Sequence, residues 1–216
     1  SDIELQSALA RAFQIFKNDP DAEKKIEEYV SLIESSADGI DDENFKMRFL
    51  SYTSRNSSPE AVYARLYTSF AAAEKSKKIV GVNMVGPENH HIAMRDYSLH
   101  MNMLAFLRKQ FPDVKLSLHA GELVLGMVPP EGLRFHITQA VMLAGANRIG
   151  HGVDMAHETN ASELLALMAQ KQIALEVNIT SNRDILGVRE SDHPLSIYRS
   201  YKVPYVISTD DSGISR

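Results

Sequence analysis

The segment KLSLHAGEL, Lys115–Leu123, decides how this chain is read. Its first half alternates in the manner of a β-strand. Its second half ends that strand on His119, follows with Ala120 and Gly121, and then places Glu122. Taken alone, His119 is more simply a core histidine bonded to a backbone carbonyl. Its neighbours argue for more than that. Two small residues leave room for a ligand beside the backbone, and an unpaired carboxylate buried at a strand end is costly.

The same rhythm recurs outward from this segment. Upstream, KIVGVNMVG (78–86) reads as a strand, and the residues around Tyr97–Leu107 as a helix. FKMRFLSYTSR (45–55) reads as a strand with Phe45, Met47, Phe49 and Ser51 on one face. Ser57–Glu60 opens a helix carrying Val62, Leu66, Phe70 and Ala73 at helical spacing. Earlier still, Leu5, Leu9, Ala12, Phe13 and Phe16 share one helix face. After a break at Asn18–Pro20, Ile26, Tyr29, Val30 and Ile33 share another. Downstream, strands are expected at NRIGHG (147–152), IALEVNITSN (173–182) and VPYVISTDD (203–211). Helices are expected at Phe135–Leu143, around Leu164–Met168 and at Pro194–Tyr201. Six strands separated by helices imply parallel strands with helical crossovers.

An open doubly wound sheet and a (β/α)8 TIM-type barrel both fit this rhythm. Polar residues fall where strands finish: Arg55, Gly86–Glu88, His119–Glu122, His151, Thr180–Asn182 and Asp210–Asp211. In a barrel these ends open on one shared face, whereas in an open sheet most would be spread along an edge. No Gly-rich phosphate loop follows any strand. The α/β barrel is therefore the expected fold. A whole barrel needs eight strands and about 250 residues. The expectation is an incomplete barrel with about six of the eight strands, one domain over residues 1–216, with 1–40 as a helical lead-in without a specific motif.

The 216 residues are 44% apolar and 24% charged, with a net charge of −5 and no cysteine. This is ordinary globular composition. Without a basic footprint, nucleic-acid binding is not expected. No apolar run is long enough to span a bilayer, so no membrane role is expected. The lack of cysteine excludes disulfides, thiolate zinc sites and the His/Cys/Cys site of nucleobase deaminases. Any metal must rest on imidazole and carboxylate.

Two further clusters join HAGE. In RIGHGV (148–153), His151 sits between glycines at a strand end, where a tight turn with an incidental histidine is the alternative. In STDDSG (208–213), two aspartates end an apolar strand, where a helix cap or Asx-turn is the alternative. Together, His119, Glu122, His151, Asp210 and Asp211 describe metal-assisted hydrolysis of an electrophilic carbon. His and Asp hold a divalent cation that activates water, a second His takes a proton, and a protonated Glu gives one to a ring nitrogen. The remaining histidines read more blandly: His90, His91 and His100 as solvated, His136 as helical, His157 as a loop residue and His193 as a turn residue. Met94, Met101 and Met103 read as core packing.

SLHAGE (117–122), NRIGHGV (147–153), LEVNITSN (175–182) and VISTDD (206–211), in this order and at these separations, resemble the adenosine deaminase family of zinc-dependent (β/α)8 barrels. GVNMVGPENHH (81–91) followed by RDYSLHM (95–101) resembles the strand and loop before its HAGE segment. The growth-factor-like branch looks closest, and the similarity runs from about Phe45 onward. The resemblance implies hydrolytic deamination of adenosine or 2′-deoxyadenosine to the inosine product with release of ammonia, the purine nucleoside being the small-molecule partner. It implies Zn2+ on His119 and Asp210, and a Glu122 that protonates the purine ring nitrogen. His151 would orient or deprotonate the zinc-bound water, and Asp211 would contact the attacking hydroxide or the purine. Gly86 would let backbone approach the base.

The sequence also departs from the family pattern. The family takes two more zinc ligands from a His-x-His pair on its first strand, and no such pair occurs here. Asn178 and Ile179 stand where Cys and Pro are frequent, Asn83 where Asp is usual, and DDSG where DDP is usual. The missing pair agrees with the strand count. The chain is expected to be the central and late part of a barrel, lacking the first two strands and the C-terminal helices, with the missing N-terminal segment as a partner, and alone to hold zinc weakly and be inactive. Two alternatives stand beside this: a deaminase of the same superfamily acting on adenine, AMP or a modified purine, and a non-catalytic purine-binding or interaction protein.

Overall fold

Local chemistry starts the first three helices before packing selects their faces. In the computed structural model, which describes residues 2–211, α1 (Asp2–Lys17) carries Asp2 and Glu4 in its first turn and Lys17 in its last, matching the helix dipole. In α2 (Pro20–Ser36), the Asp19 cap accepts the Asp21 N–H at 2.9 Å and Pro20 takes the first turn. The predicted Ser–Pro start recurs in α3 (Pro59–Lys75), where Ser58 caps through the Ala61 N–H.

From there strand and helix alternate: β1 (Phe49–Ser54), α3, β2 (Ile79–Val85), α4 (His91–Gln110), β3 (Ser117–Ala120), α5 (His136–Met142), β4 (Arg148–His151), α6 (Ala161–Gln170), β5 (Ala174–Val177), α7 (Ile179–Leu186), α8 (Leu195–Ser200) and β6 (Tyr205–Ile207). β1 pairs with β2, and β3 to β6 pair in sequence, all in parallel. One bridge, Val82 to Leu116, with Val82 N–H donating to Lys115 O at 2.9 Å, joins the two groups. Strand order therefore follows chain order, as in a barrel and not in a doubly wound sheet. Among the described residues β1 and β6 do not pair with each other. Tyr52, Val206 and Ile207, at these two edges, are 69%, 45% and 62% exposed. The expected six-stranded partial barrel is what forms. No described helix is long and apolar enough to cross a membrane.

Three strand expectations need correction, the simplest being 203–211, of which only β6 (Tyr205–Ile207) pairs. The segment 45–48 is not strand: the Asp42 carboxylate accepts the N–H groups of Asn44 and Phe45, and Asp41 accepts that of Met47. Those amides are used locally, which is why Phe45 points out, 52% exposed. IALEVNITSN stops being a strand at Val177, where pairing to Ile207 ends; residues 179–186 coil into α7, closed by Gly187 in the left-handed region.

The helical lead-in is docked to the barrel. Phe13 is buried and its ring meets those of Tyr67, Phe106 and Phe111 at 5.6, 6.1 and 5.9 Å, while Tyr63 Oη donates to Leu9 O at 2.9 Å. Truncating a buried aromatic of this kind removes its burial and leaves a cavity. Phe13→Ala should lower unfolding free energy by roughly 3 kcal/mol, read as a fall in urea midpoint. An unchanged midpoint would mean α1 is not part of the cooperative unit.

Candidate active site

The C-terminal ends of the strands surround a cavity of about 610 Å³, and all six residues singled out in the sequence line it: Gly86, His119, Glu122, His151, Asp210 and Asp211. Gly86 has φ +99, where a side chain is disfavoured, so backbone faces the cavity without a Cβ.

His119, His151 and Asp210 each offer one donor atom, all within 4.8 Å of one another. Two of the three sit in the left-handed region without being glycine, His151 at φ +69 and Asp210 at φ +54. Such backbone strain concentrates where a site needs a particular side-chain direction. His119 is oriented by Asn83, whose Oδ1 accepts the His119 backbone N–H at 3.3 Å and lies 3.1 Å from His119 Nδ1. An oxygen that accepts one N–H faces the other as an acceptor too, so Nδ1 carries the proton. That leaves His119 Nε2 with its lone pair free for a cation.

His151 is set by a longer relay. Leu195 N–H donates to His193 Nδ1 at 3.1 Å, so neutral His193 carries its proton on Nε2. That atom lies 3.2 Å from Asn182 Oδ1, which accepts it. The Asn182 amide nitrogen, 2.8 Å from His151 Nδ1, must then donate. Neutral His151 therefore keeps its proton on Nε2, the atom 4.0 Å from Asp210 Oδ2; Asn178, whose amide group lies 3.3 Å from that atom, then meets it through its otherwise unpartnered oxygen.

Burial sets the charge states. It pushes the Glu122 carboxyl up to about 7, with the nearby Glu88 and Asp210 carboxylates adding to the effect. Burial, then the neighbouring His119, pushes His151 down to about 3, and burial, then Arg55, pushes His119 down. At neutral pH both imidazoles are uncharged beside a carboxyl that readily holds a proton. Glu122 Oε1 lies 3.5 Å from His151 Nδ1.

Several residues that hold this geometry carry no assigned task in the sequence. Glu88 is buried and accepts the Gly121 and Glu122 N–H groups at 3.0 and 2.8 Å. His136 Nδ1 lies 2.6 Å from Glu88 Oε1, and Arg55 Nη1 lies 3.9 Å from the same oxygen. His100, expected to be solvated, is buried; His136, helical as expected, and His193 are buried too and bonded into the site. Arg55 and Glu88 already stand among the polar residues that end strands, but the sequence gives neither a task. The others look like ordinary helix and turn residues.

Burial is the largest single influence on Glu88 and pushes it up, but the bond from His136, the Arg55 charge and the backbone amides together hold it at about 2, below its ordinary 4.5. A carboxyl depressed on folding stabilises the fold above its unfolded value and loses that contribution as pH falls to its folded value. The stability gap between wild type and Glu88→Gln should therefore be widest above pH 5, of order 3 kcal/mol, and should close between about pH 4.5 and 2. Urea titrations at several pH values measure it; a gap that does not vary with pH would mean Glu88 is not ionised in the fold.

A partial parallel barrel with imidazoles and carboxylates gathered at its strand ends is the architecture of a barrel enzyme. The sequence model described as adenosine deaminase matches residues 17–216. The chain belongs to the adenosine deaminase family, a family of hydrolytic deaminases, and the match reaches further upstream than Phe45. Adenosine deaminase of Escherichia coli (strain SMS-3-5 / SECEC) is 37% identical over 110 residues, 50% of this chain and 30% of that protein. Adenosine deaminase of Clostridium kluyveri is 27% identical over 140 residues, 64% of this chain and 35% of that protein. The chain thus spans about a third of the length of these relatives. Among solved structures, an adenine deaminase from Arthrobacter aurescens superimposes with TM-score 0.56 at 21% identity, covering 76% of this chain and 44% of that one. The N6-methyl-AMP deaminase from Arabidopsis thaliana does so with TM-score 0.56 at 21% identity, covering 77% and 43%. These two likenesses establish the fold.

Proposed function

We propose that this chain is the central and late part of a metal-dependent enzyme that deaminates adenosine or 2′-deoxyadenosine. Water supplies an oxygen to the purine C6, the C6–N bond breaks, and inosine or 2′-deoxyinosine leaves with ammonia. The observation that carries the reading is the gathering of His119, His151 and Asp210 within 4.8 Å in one cavity with Glu122, whose carboxyl burial pushes up to about 7.

His119 and Asp210 would hold the metal; a free imidazole lone pair and a carboxylate are the donor chemistry a zinc-like cation takes. Such a cation, when bound, supplies Lewis-acid charge that makes water more acidic. Glu122 gives its proton to the purine ring nitrogen as the ring accepts electrons, and the carboxylate left behind takes the proton that the attacking water gives up and passes it to the leaving amine. His151, with its proton on Nε2, hydrogen-bonds to and orients the water oxygen; the relay supports orientation over proton abstraction. Asp211, at the exposed mouth, accepts a hydrogen bond from the purine, and Gly86 lets the base approach backbone. The open edges of β1 and β6 are where the N-terminal segment of the same barrel would dock, bringing the two remaining ligands.

The test is turnover by the full-length protein that contains this chain, with zinc, against adenosine, 2′-deoxyadenosine, adenine, AMP and N6-methyl-AMP. Loss of adenosine absorbance, with little turnover by the 216-residue chain alone, is expected. Preference for adenine or a nucleotide would reassign the substrate. Stoichiometric metal with no turnover of any purine would favour a binding protein.

A further inference from the structure

The catalytic carboxyl is not held by its own strand. Glu122 lies beyond the end of β3, in a loop that has left the sheet, and its backbone N–H has no ladder partner. Nor has that of Gly121, which stands at φ +76. Both amides instead point into one buried carboxylate, Glu88, which comes from the loop after the neighbouring strand β2. We infer that Glu88 is a positioning residue: with Arg55 and His136 it clamps the Gly121–Glu122 backbone and so aims the Glu122 carboxyl at the purine. This rests on reading Glu122 as the proton donor.

Four features make this a clamp and not incidental packing. Glu88 receives the two consecutive amides on different oxygens, Gly121 on Oε1 and Glu122 on Oε2, which fixes the peptide between them in two places. Glu88 borders the same cavity, but its side chain is 1% exposed and both carboxylate oxygens are already taken by protein groups. Arg55, from the end of β1, faces Glu88 with one guanidinium nitrogen, and with the other donates to Met84 O at 2.9 Å and His119 O at 2.8 Å. The ends of β1, β2 and β3 are thereby tied around one ion pair. His136, at the start of α5, adds the fourth anchor and is itself fixed by Tyr97, stacked on its ring at 3.7 Å and donating through Oη to the His136 carbonyl at 2.9 Å. Gly121 is also required sterically: a Cβ there would lie 2.7 Å from Ile137 Cδ1 and closer still to Asp154 Oδ1.

The clamp needs a side chain that only accepts. Gln at position 88 keeps one oxygen but turns a donor NH2 toward an amide N–H, so one of the two bonds is lost. Asp keeps the charge that compensates Arg55 but is one methylene short, so its carboxylate does not reach the two amides.

The test is a double-mutant cycle in the full-length zinc-loaded protein, with adenosine as substrate. Glu88→Asp and Glu88→Gln are expected to lower kcat at least tenfold with KM changed less than threefold and metal content unchanged. In the Glu122→Gln background the same substitutions should have no further effect on kcat, because the residue they aim is gone. A purely structural role predicts the same fold-loss in both backgrounds, and that result would overturn the inference. So would wild-type kcat in folded Glu88→Asp. Full turnover by Glu122→Gln alone would instead remove the reading of Glu122, and with it the clamp's purpose. If neither Glu88 variant folds, hydrogen exchange in the wild-type chain decides: Gly121 and Glu122 amides protected as well as the β3 core support the clamp, and exchange at unprotected rates overturns it.

Discussion

Glu122→Gln is expected to lower kcat on adenosine by roughly 10²–10⁴-fold, the range that a positioned general acid contributes. KM and bound metal should change little. Gln is nearly isosteric with Glu, so the clamp on the Glu122 amide survives, and only the transferable proton is removed. The sign with pH follows from the same residue. The carboxyl is pushed up to about 7, so the acid form needed for donation is full below that value and drains away above it. Wild-type kcat should fall on the alkaline side, and Glu122→Gln, which has no proton to lose there, should lack that limb in its residual rate. Equal losses in kcat and in metal content would mean that position 122 supports the metal and not the proton transfer. Unchanged turnover would sink the proposed mechanism.

How far this site can be read before folding differs residue by residue. His119, Glu122, His151, Asp210 and Asp211 stand out because each ends an apolar run on a group that burial penalises, and a barrel brings all strand ends to one face. The six strands are legible for the same reason, as apolar runs between helical periods. Arg55 and Glu88 show in the sequence as polar strand ends, but what they hold does not. Glu88 finds its partners at Gly121, Glu122 and His136, residues 33, 34 and 48 positions away. The tautomer of His151 is decided at Leu195 through His193 and Asn182. No periodicity encodes such relays. Two of the misread strand ends have a related cause. At 45–48 short carboxylate side chains capture the amides a strand would use, and at 178–182 pairing ends because β6 is short and Asn178 turns to His151.

His119→Ala in the full-length protein is expected to abolish stoichiometric zinc and to reduce turnover at least a thousandfold, since the charge a metal provides is worth several kcal/mol in the transition state. Asn83 should tune the same site without touching the cation. It holds His119 in the tautomer that leaves Nε2 free. Removing such an outer partner weakens metal affinity by roughly 10–100-fold, so Asn83→Leu should fall in that range. Asn83→Asp should go the other way. A carboxylate accepts the Nδ1–H more strongly than an amide oxygen and raises the basicity of Nε2 toward the metal. Competition for zinc against a chromophoric chelator reads all three variants without relying on activity. The order expected is Asp tightest, then wild type, then Leu, with His119→Ala retaining none. If Asn83→Leu matched wild type, the tautomer of His119 would be set by the metal itself. If His119→Ala still held one zinc tightly, the ligands would lie elsewhere in the full-length protein, and the gathering of His119, His151 and Asp210 within 4.8 Å would be a polar end to the strands and not a metal centre.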